Sequence, residues 1–480
     1  MTRNEKGYFK KFASINSKNG DGNYLRLFDC VAEMEAYDEK IIKQKFKGAK
    51  FLTQLNVTKL YLQKMIIKSL RNYHSESDPD IERLYGMIEV QMLLKKHLYD
   101  SALRTLRALK AKLETQEVQL THLYLLQLEY QILLRKGMYE EILETVHDKF
   151  EVEKSEIRNY ENLCHYRYLQ ALAMSRTQIE GYTRNETEHD IRDILNDPML
   201  TNPAAPLTFK AALHRLEIQN KCYLKIGDAQ KAYESSLAMV ETFRSNPEKI
   251  NLLPYNYFAS LNSLVNRCIA SYKYKEALKY VDEIKKVLNS KGITISDSQR
   301  FEMESQMREK ELVIYGGMFE FKKGIEAEQK LLAFIGGKPV RKEFKVTVLY
   351  FGAVCYFAEG RYDETLEKIN ELVHGDYDNI RKDIVLSAHI LNILLHFQLK
   401  NYRLIQRLIT VVQNYGSKQK FPIAEVTEFL TLLKSFIKAF ESDNITAYKK
   451  AAKAIANKVG QYDFVDEDIL MWWLKKTGAL

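Results

Sequence analysis

The sequence predicts an all-α protein, a right-handed α-solenoid of stacked antiparallel helical hairpins. Three observations lead there. Gly and Pro together make 28 of 480 residues, about half the usual share, and strands and turns need them more than helices do. Apolar residues recur at helical spacing through most of the chain. One turn signal returns at nearly constant intervals, and an array of hairpins can reach any length where a single compact core cannot. Apolar content of 46%, with 30 Tyr and 22 Phe, supplies large rings to pack between helices.

The stretch Lys342–Val373, KEFKVTVLYFGAVCYFAEGRYDETLEKINELV, sets the pattern. Leu349, Ala353, Tyr356 and Phe357 mark one helix, and Leu366, Ile369 and Leu372 mark the next. Between them Gly360 can adopt the left-handed conformation that ends a helix. Asp363 and Glu364 suit the positive end of the following helix, and Tyr362 can drop into the crease.

In chain order, residues 1–20 are polar and predicted to be flexible. Residues 21–75 are predicted as a basic hairpin, with helices over Asn23–Lys47, ending at Gly48, and over Leu52–Tyr73. Its buried sides are assigned to Ile41, Ile42, Phe46, Leu62, Ile66 and Leu70. The net charge is +9. Residues 1–72 hold 15 basic and 7 acidic side chains, a net of +8, and the rest of the chain contributes +1. Lys40–Arg71 contains nine basic residues and no acid. Lys40, Lys43, Lys47 and Lys50 fall at the spacing of one helical stripe, and Lys64, Lys68 and Arg71 form a second. Lys43, Lys47, Lys50, Lys64, Lys68 and Arg71 are therefore the candidate binding residues, for the phosphates of nucleic acid or lipid. Tyr61 and Tyr73 stand near enough to stack. The competing reading is a solvated lysine face that keeps the first repeat in solution. Eight of the nine are Lys, which lacks the bidentate fork of Arg.

Ser75–Asp80 reads as a connector, with Asp78 capping a helix that opens on Pro79. Residues 76–440 are predicted as hairpin repeats. The turn signal appears at Tyr99-Asp100, Gly137-Met138-Tyr139-Glu140, Gly181-Tyr182, Gly227-Asp228-Ala229, Tyr274-Lys275-Glu276, Gly317-Met318-Phe319-Glu320, Gly360-Arg361-Tyr362-Asp363 and Asn401-Tyr402. Its aromatic slot falls at positions 99, 139, 182, 229, 274, 319, 362 and 402, so the step varies only from 40 to 47. Gly137, Gly227, Gly317 and Gly360 stand two residues before the slot. Ser296 and Gln299 have the spacing of a capping box. Asp197-Pro198 and Asn246-Pro247 are further punctuation. Asn196–Pro206 carries three of the eight prolines and is an irregular link, either a plain loop or a hinge.

Gly360–Leu366 (GRYDETL), Gly227–Ala232 (GDAQKA) and Tyr272–Leu278 (YKYKEAL) resemble the turn between the two helices of a tetratricopeptide repeat. Ala102, Ala232 and Ala277 take the small position where those helices approach closely. Ile142, Thr365 and Ile405 sit where Ala is usual, and the terminal proline is mostly missing. The period also exceeds the one usual for that family, roughly 34 residues. The resemblance covers about residues 80–440. It implies stacked hairpins with a concave groove that binds protein or peptide.

Residues 441–480 are predicted as capping helices. A last pair covers Ile423–Phe440 and Ile445–Val459. The segment DEDILMWWLKK, Asp466–Lys476, reads as a terminal helix with acids first and lysines last. Its Trp472 and Trp473, the only tryptophans, are expected to cover the open end of the last hairpin. Anchoring a partner is the other reading.

No catalytic or metal motif appears. Gly336-Gly337-Lys338 is followed by Pro339 and lacks the upstream glycine of a phosphate loop. His389 and His396 lie seven apart, too far along a helix for a paired metal site. Cys30, Cys164, Cys222, Cys268 and Cys355 are dispersed and odd in number, which argues against a disulfide framework and for a reducing, cytoplasmic setting. Cys222, Cys268 and Cys355 close predicted first helices as small buried apolar side chains. The longest uncharged run, Ile384–Leu399, is too short and too polar to span a membrane. The expectation is a non-enzymatic scaffold without cofactors that binds protein or peptide, with polyanion binding through the basic hairpin as the alternative. A hydrolase with an unrecognised site is the remotest of the readings.

Overall fold

A computed structural model describes residues 1–16, 23–34, 37–74, 79–113, 116–178, 184–290, 292–293, 295–377, 380–462 and 464–480. Among these residues there are 24 α-helices, two 3-10 turns and no strand. The chain divides into two compact units. Unit 1 is Met1–Tyr166 with Pro206–Ala211, and unit 2 is Arg167–Ala205 with Ala212–Leu480.

Unit 1 opens with α1 (Arg3–Asn16), α2 (Asn23–Ala32), α3 (Glu39–Lys45) and α4 (Leu55–Tyr73). Within the expected flexible start, Arg3–Asn16 form a helix, and residues 17–20 lie outside the described residues. Phe9 and Ala13 of α1 are fully buried, and α1 and α2 both pack on α4. The expected helix over 23–47 is two, because Asp38 caps α3 by accepting from Lys40 N at 2.7 Å. Ile42, Phe46 and Leu62 are buried as expected, whereas Ile41 is exposed. The expected connector and its Asp78 cap lie largely outside the described residues. Next come α5 (Pro79–Lys95), α6 (Tyr99–Leu113), α7 (Gln119–Lys136) and the 40-residue α8 (Tyr139–Gln178), of which Tyr139–Tyr166 belong to unit 1 and the rest to unit 2. The expected turn at Gly181-Tyr182 lies outside the described residues.

Unit 2 contains α9 (Arg184–Leu195), α10 (Pro198–Thr201), most of α11 (Phe209–Lys225), α12 (Ala229–Arg244), α13 (Pro247–Leu252), α14 (Pro254–Ala270) and α15 (Tyr274–Asn289). It continues through α16 (Asp297–Gly317), α17 (Phe321–Ile335), α18 (Lys342–Ala358), α19 (Tyr362–His374), α20 (Lys382–Gln398), α21 (Tyr402–Lys418), α22 (Ile423–Glu441), α23 (Ile445–Ala456) and α24 (Glu467–Lys476). Helices α14/α15, α16/α17, α18/α19, α20/α21 and α22/α23 pair as hairpins, and α14, α16, α18 and α20 pack successively on one another. That is the packing of a helical repeat. Ala232 and Ala277 are fully buried at the close approach, and Cys222, Cys268 and Cys355 are fully buried too. The Ser296–Gln299 capping box forms.

One backbone device joins the helices. His97, Gly137, Gly227, Tyr272, Phe319, Gly360, Lys400 and Asp443 all have φ between +52° and +80°. Each stands two residues before a helix that starts at Tyr99, Tyr139, Ala229, Tyr274, Phe321, Tyr362, Tyr402 or Ile445. The N–H of the next residue bonds the carbonyl five residues earlier, from Leu98 N to Leu93 O at 3.0 Å through to Asn444 N to Ala439 O at 3.0 Å. These are Schellman turns, which satisfy carbonyls left open at a helix end. Among the described turns the expected register is correct except at Gly317. That residue ends α16, Phe319 takes the left-handed position, and Phe321 opens the next helix. Gly317 is there for contact: a Cβ would run into the Tyr274 ring.

Helices α18 and α20 are apolar and buried almost all round, as a helix enclosed on every side must be. The C-terminal segment supplies the last side of the enclosure.

Candidate protein-interaction surfaces

The six sequence-predicted residues are all exposed, but they do not form two stripes. Helix α3 ends at Lys45, Gly48 turns the chain at φ +87°, and a 3-10 turn begins at Lys50. Lys43, Lys47 and Lys50 therefore share no helical face. Lys43 and Lys59 both pair with Glu39, at 2.8 and 2.7 Å, and together hold its carboxyl down to about 2. Lys45 pairs with Glu33 at 3.1 Å. The second stripe is real: Lys64, Lys68 and Arg71 lie on α4, with Lys68 Nζ 5.8 Å from the Phe12 ring centroid. Its spacing also brings out apolar neighbours. Val57, Leu60 and Ile67 are each about 60% exposed on the same side, while Leu55, Leu62, Met65 and Ser69 are buried on the other.

The α8 surface was not singled out by its sequence. No Gly or Pro occurs between Gly137 and Gly181, so nothing ends the helix, and two expected helices are one. Polar contacts tie one side of its first turns to the rest of unit 1. Glu141 pairs with Arg107 at 2.5 Å, Lys149 with Glu129 at 3.6 Å, and Glu156 Oε1 lies 2.9 Å from His122 Nδ1. Glu129 is itself buried and receives Lys110 at 2.7 Å. The apolar side faces outward. Tyr139, Leu143, Val146, Phe150 and Ile157 follow steps of four, three, four and seven, and all are exposed, Leu143 at 79%. Between Tyr139 and Arg158 stand seven acids and three bases. The missed signal was that stepping inside a run free of helix breakers.

In unit 2 the C-terminal segment does more than cover the last hairpin. It reaches back to earlier hairpins, to α20, to α18 and to the start of α15. Ser387 Oγ donates to Phe464 O at 3.0 Å, Tyr350 OH to Asp466 at 3.0 Å, and Tyr274 OH to Asp468 at 2.8 Å. Burial raises both carboxyls above the usual range. Trp472 meets Phe321 at 5.2 Å between ring centroids, and Trp473, fully buried, meets Phe397 and Phe436 at 5.2 Å each. A cleft of about 340 Å³ remains beside the segment, between Tyr272, Phe319 and Glu467.

His389 is buried against Tyr415, and His396 Nδ1 accepts from Asn401 Nδ2 at 3.1 Å. Both are packing histidines. Among the described residues no three His, Cys, Asp or Glu side chains are grouped to hold a metal ion, and no helix is long and apolar enough to cross a membrane.

Known proteins add no identity. No protein-family model matches the chain, and a search of curated proteins found no match.

Proposed function

We propose that the protein is a non-enzymatic scaffold, a right-handed solenoid in the manner of tetratricopeptide arrays, that works in the cytoplasm and holds another protein by seating an amphipathic helix on α8. One observation carries this reading. Helix α8 satisfies its polar side against its own unit and leaves a stepped row of large apolar side chains in water, at an energetic disadvantage that a partner helix removes. Its acidic flanks favour a basic helix. The alternative of an extended peptide lying across α18 and α20 loses ground, because the chain's own C-terminal segment lies there.

The second reading is polyanion binding through α4. Lys47, Lys50, Lys64 and Arg71 have no carboxylate partner among the described residues, which favours it. Glu33 and Glu39 neutralise neighbouring lysines, and Val57, Leu60 and Ile67 interrupt the charge with apolar surface, which weighs against it.

The test is fluorescence anisotropy with a labelled synthetic helix carrying Leu at a and d and Lys at e and g. Micromolar binding is expected. Leu143→Asp combined with Phe150→Asp should weaken it by roughly 30-fold or more, since anchor residues are worth about 1–2 kcal/mol each. Both sites are exposed, so far-UV circular dichroism should be unchanged. Failure of the wild type to bind at about 100 µM, an affinity floor near 5 kcal/mol, would overturn the reading, as would binding that the variants leave intact.

A further inference from the structure

Within unit 1, α4 and α8 carry exposed rows of opposite charge whose steps match, with Lys154 Nζ lying 5.2 Å from the Phe150 ring centroid. On α4 the outward residues are Leu60, Lys64, Ile67 and Arg71, with steps of four, three and four. On α8, read in the reverse direction, they are Ile157, Glu153, Phe150 and Val146, with the same steps. Antiparallel pairing places Leu60 on Ile157, Lys64 on Glu153, Ile67 on Phe150 and Arg71 on Val146. Lys64 then falls opposite Glu153, and Arg71 closes its row beside Val146. Parallel pairing in the corresponding register sets Lys64 against Phe150 and Glu153 against Ile67. Helix α4 has four basic residues and no acid, whereas Tyr139–Arg158 has seven acids and three bases. Leu60, Ile67, Phe150 and Ile157 are all more than half exposed, and neither Lys64 nor Glu153 has an ion-pair partner among the described residues.

We infer that the helix seated on α8 is α4 of a second copy of this chain. The inference rests on the scaffold reading of α8 and names its occupant. Steps of three and four are the spacing of a helix–helix seam, and a single polar pair within an apolar seam fixes its register and direction. The contact joins two different patches, so it is heterologous. It adds copies head to tail, or closes two copies when each α4 reaches the other's α8. A seam this short buries less than about 1,200 Å² and belongs to the weak class of interfaces. Opposite net charges steer the two helices together and make association salt-sensitive.

Sedimentation velocity on the full chain tests it. In about 50 mM salt, where charges are screened only beyond roughly 14 Å, the weight-average mass should rise above that of one chain as concentration increases toward ~100 µM, and fall again at about 500 mM. Lys64→Glu alone and Glu153→Lys alone should each cut association by roughly tenfold or more, by setting like charges opposite one another. The chain carrying both changes restores an opposite pair and should associate like the wild type. A wild type that stays single at the highest concentration overturns the inference. So does Lys64→Glu associating as well as wild type, or the charge-swapped chain failing to recover. If the labelled synthetic helix binds α8 while the wild type stays single, the scaffold reading stands and the second copy is excluded as its occupant.

Discussion

His389 shows how burial becomes pH dependence. The ring lies in α20, 4.9 Å from the Tyr415 ring, and burial pushes its pKa down from 6.5 to about 4, with a smaller repulsion from His374. The folded imidazole is neutral at pH 7. Between pH 6.5 and 4 the unfolded chain takes up a proton that the folded site refuses, so this contribution is present above pH 6.5 and lost as pH falls. The loss approaches about 3 kcal/mol by pH 4. Urea unfolding at pH 7, 6, 5 and 4 should show it, and His389→Gln should flatten the profile over that window. Other single residues divide into legible and illegible. The buried cysteines could be read because each falls on an apolar helical period. The pair of the partly buried Lys368 and the fully buried Glu328, 2.7 Å apart, could not, because its members lie one repeat apart in sequence and meet only through packing. Phe319 was misplaced because Gly317 looks like a helix stop, whereas it is a point of contact with Tyr274.

At the scale of elements, α24 is a long-range tie. Asp466 caps it, accepting from Ile469 N at 3.2 Å, and the same carboxylate receives Tyr350 OH from α18. Asp466→Ala removes the cap, worth about 1 kcal/mol, and leaves the buried tyrosine hydroxyl short of a partner, worth about as much again. Because both tryptophans sit in this segment, their emission reports its docking. The substitution should shift emission to longer wavelength. It should also lower unfolding free energy by about 2 kcal/mol, the sum of the lost cap and the lost hydroxyl partner. Unchanged emission would contradict the tie. The helix itself was legible from its acids and lysines, but its place was not. The related signal was the apolar character of α18 and α20 on every side, which demands a cover from elsewhere in the chain. Helix α8 was misread for the opposite reason. A regular period suggested a joint where the sequence offers no residue to make one.

For the whole molecule, each unit has its own core. Unit 1 holds small clusters among its described residues, around Phe9, Leu27 and Ile42 and around Leu106, Leu125 and Ile132. Unit 2 holds a continuous cluster running from Leu312 to Ala479, and further buried residues before it such as Phe243, Leu261 and Ile284. Unfolding should therefore not be two-state. Far-UV circular dichroism should show an early step in urea, assigned to unit 1, that tryptophan emission does not share, and coincident curves would refute it. The all-helical class was legible from the scarcity of Gly and Pro, and the charge imbalance at the N-terminal end from a simple count. The division into two units was legible only in part: one crossing, at Ala205/Pro206, falls in the Pro-rich link, whereas the crossing at Tyr166/Arg167 lies inside α8, where no change of composition marks it. The recurring turn has a further consequence. Its closing bonds run from main chain to main chain, and glycine, histidine, tyrosine, phenylalanine, lysine and aspartate all occupy its left-handed position. Selection can thus rewrite these joints freely while their pitch survives, so the lettering of such an array wears away long before its architecture does.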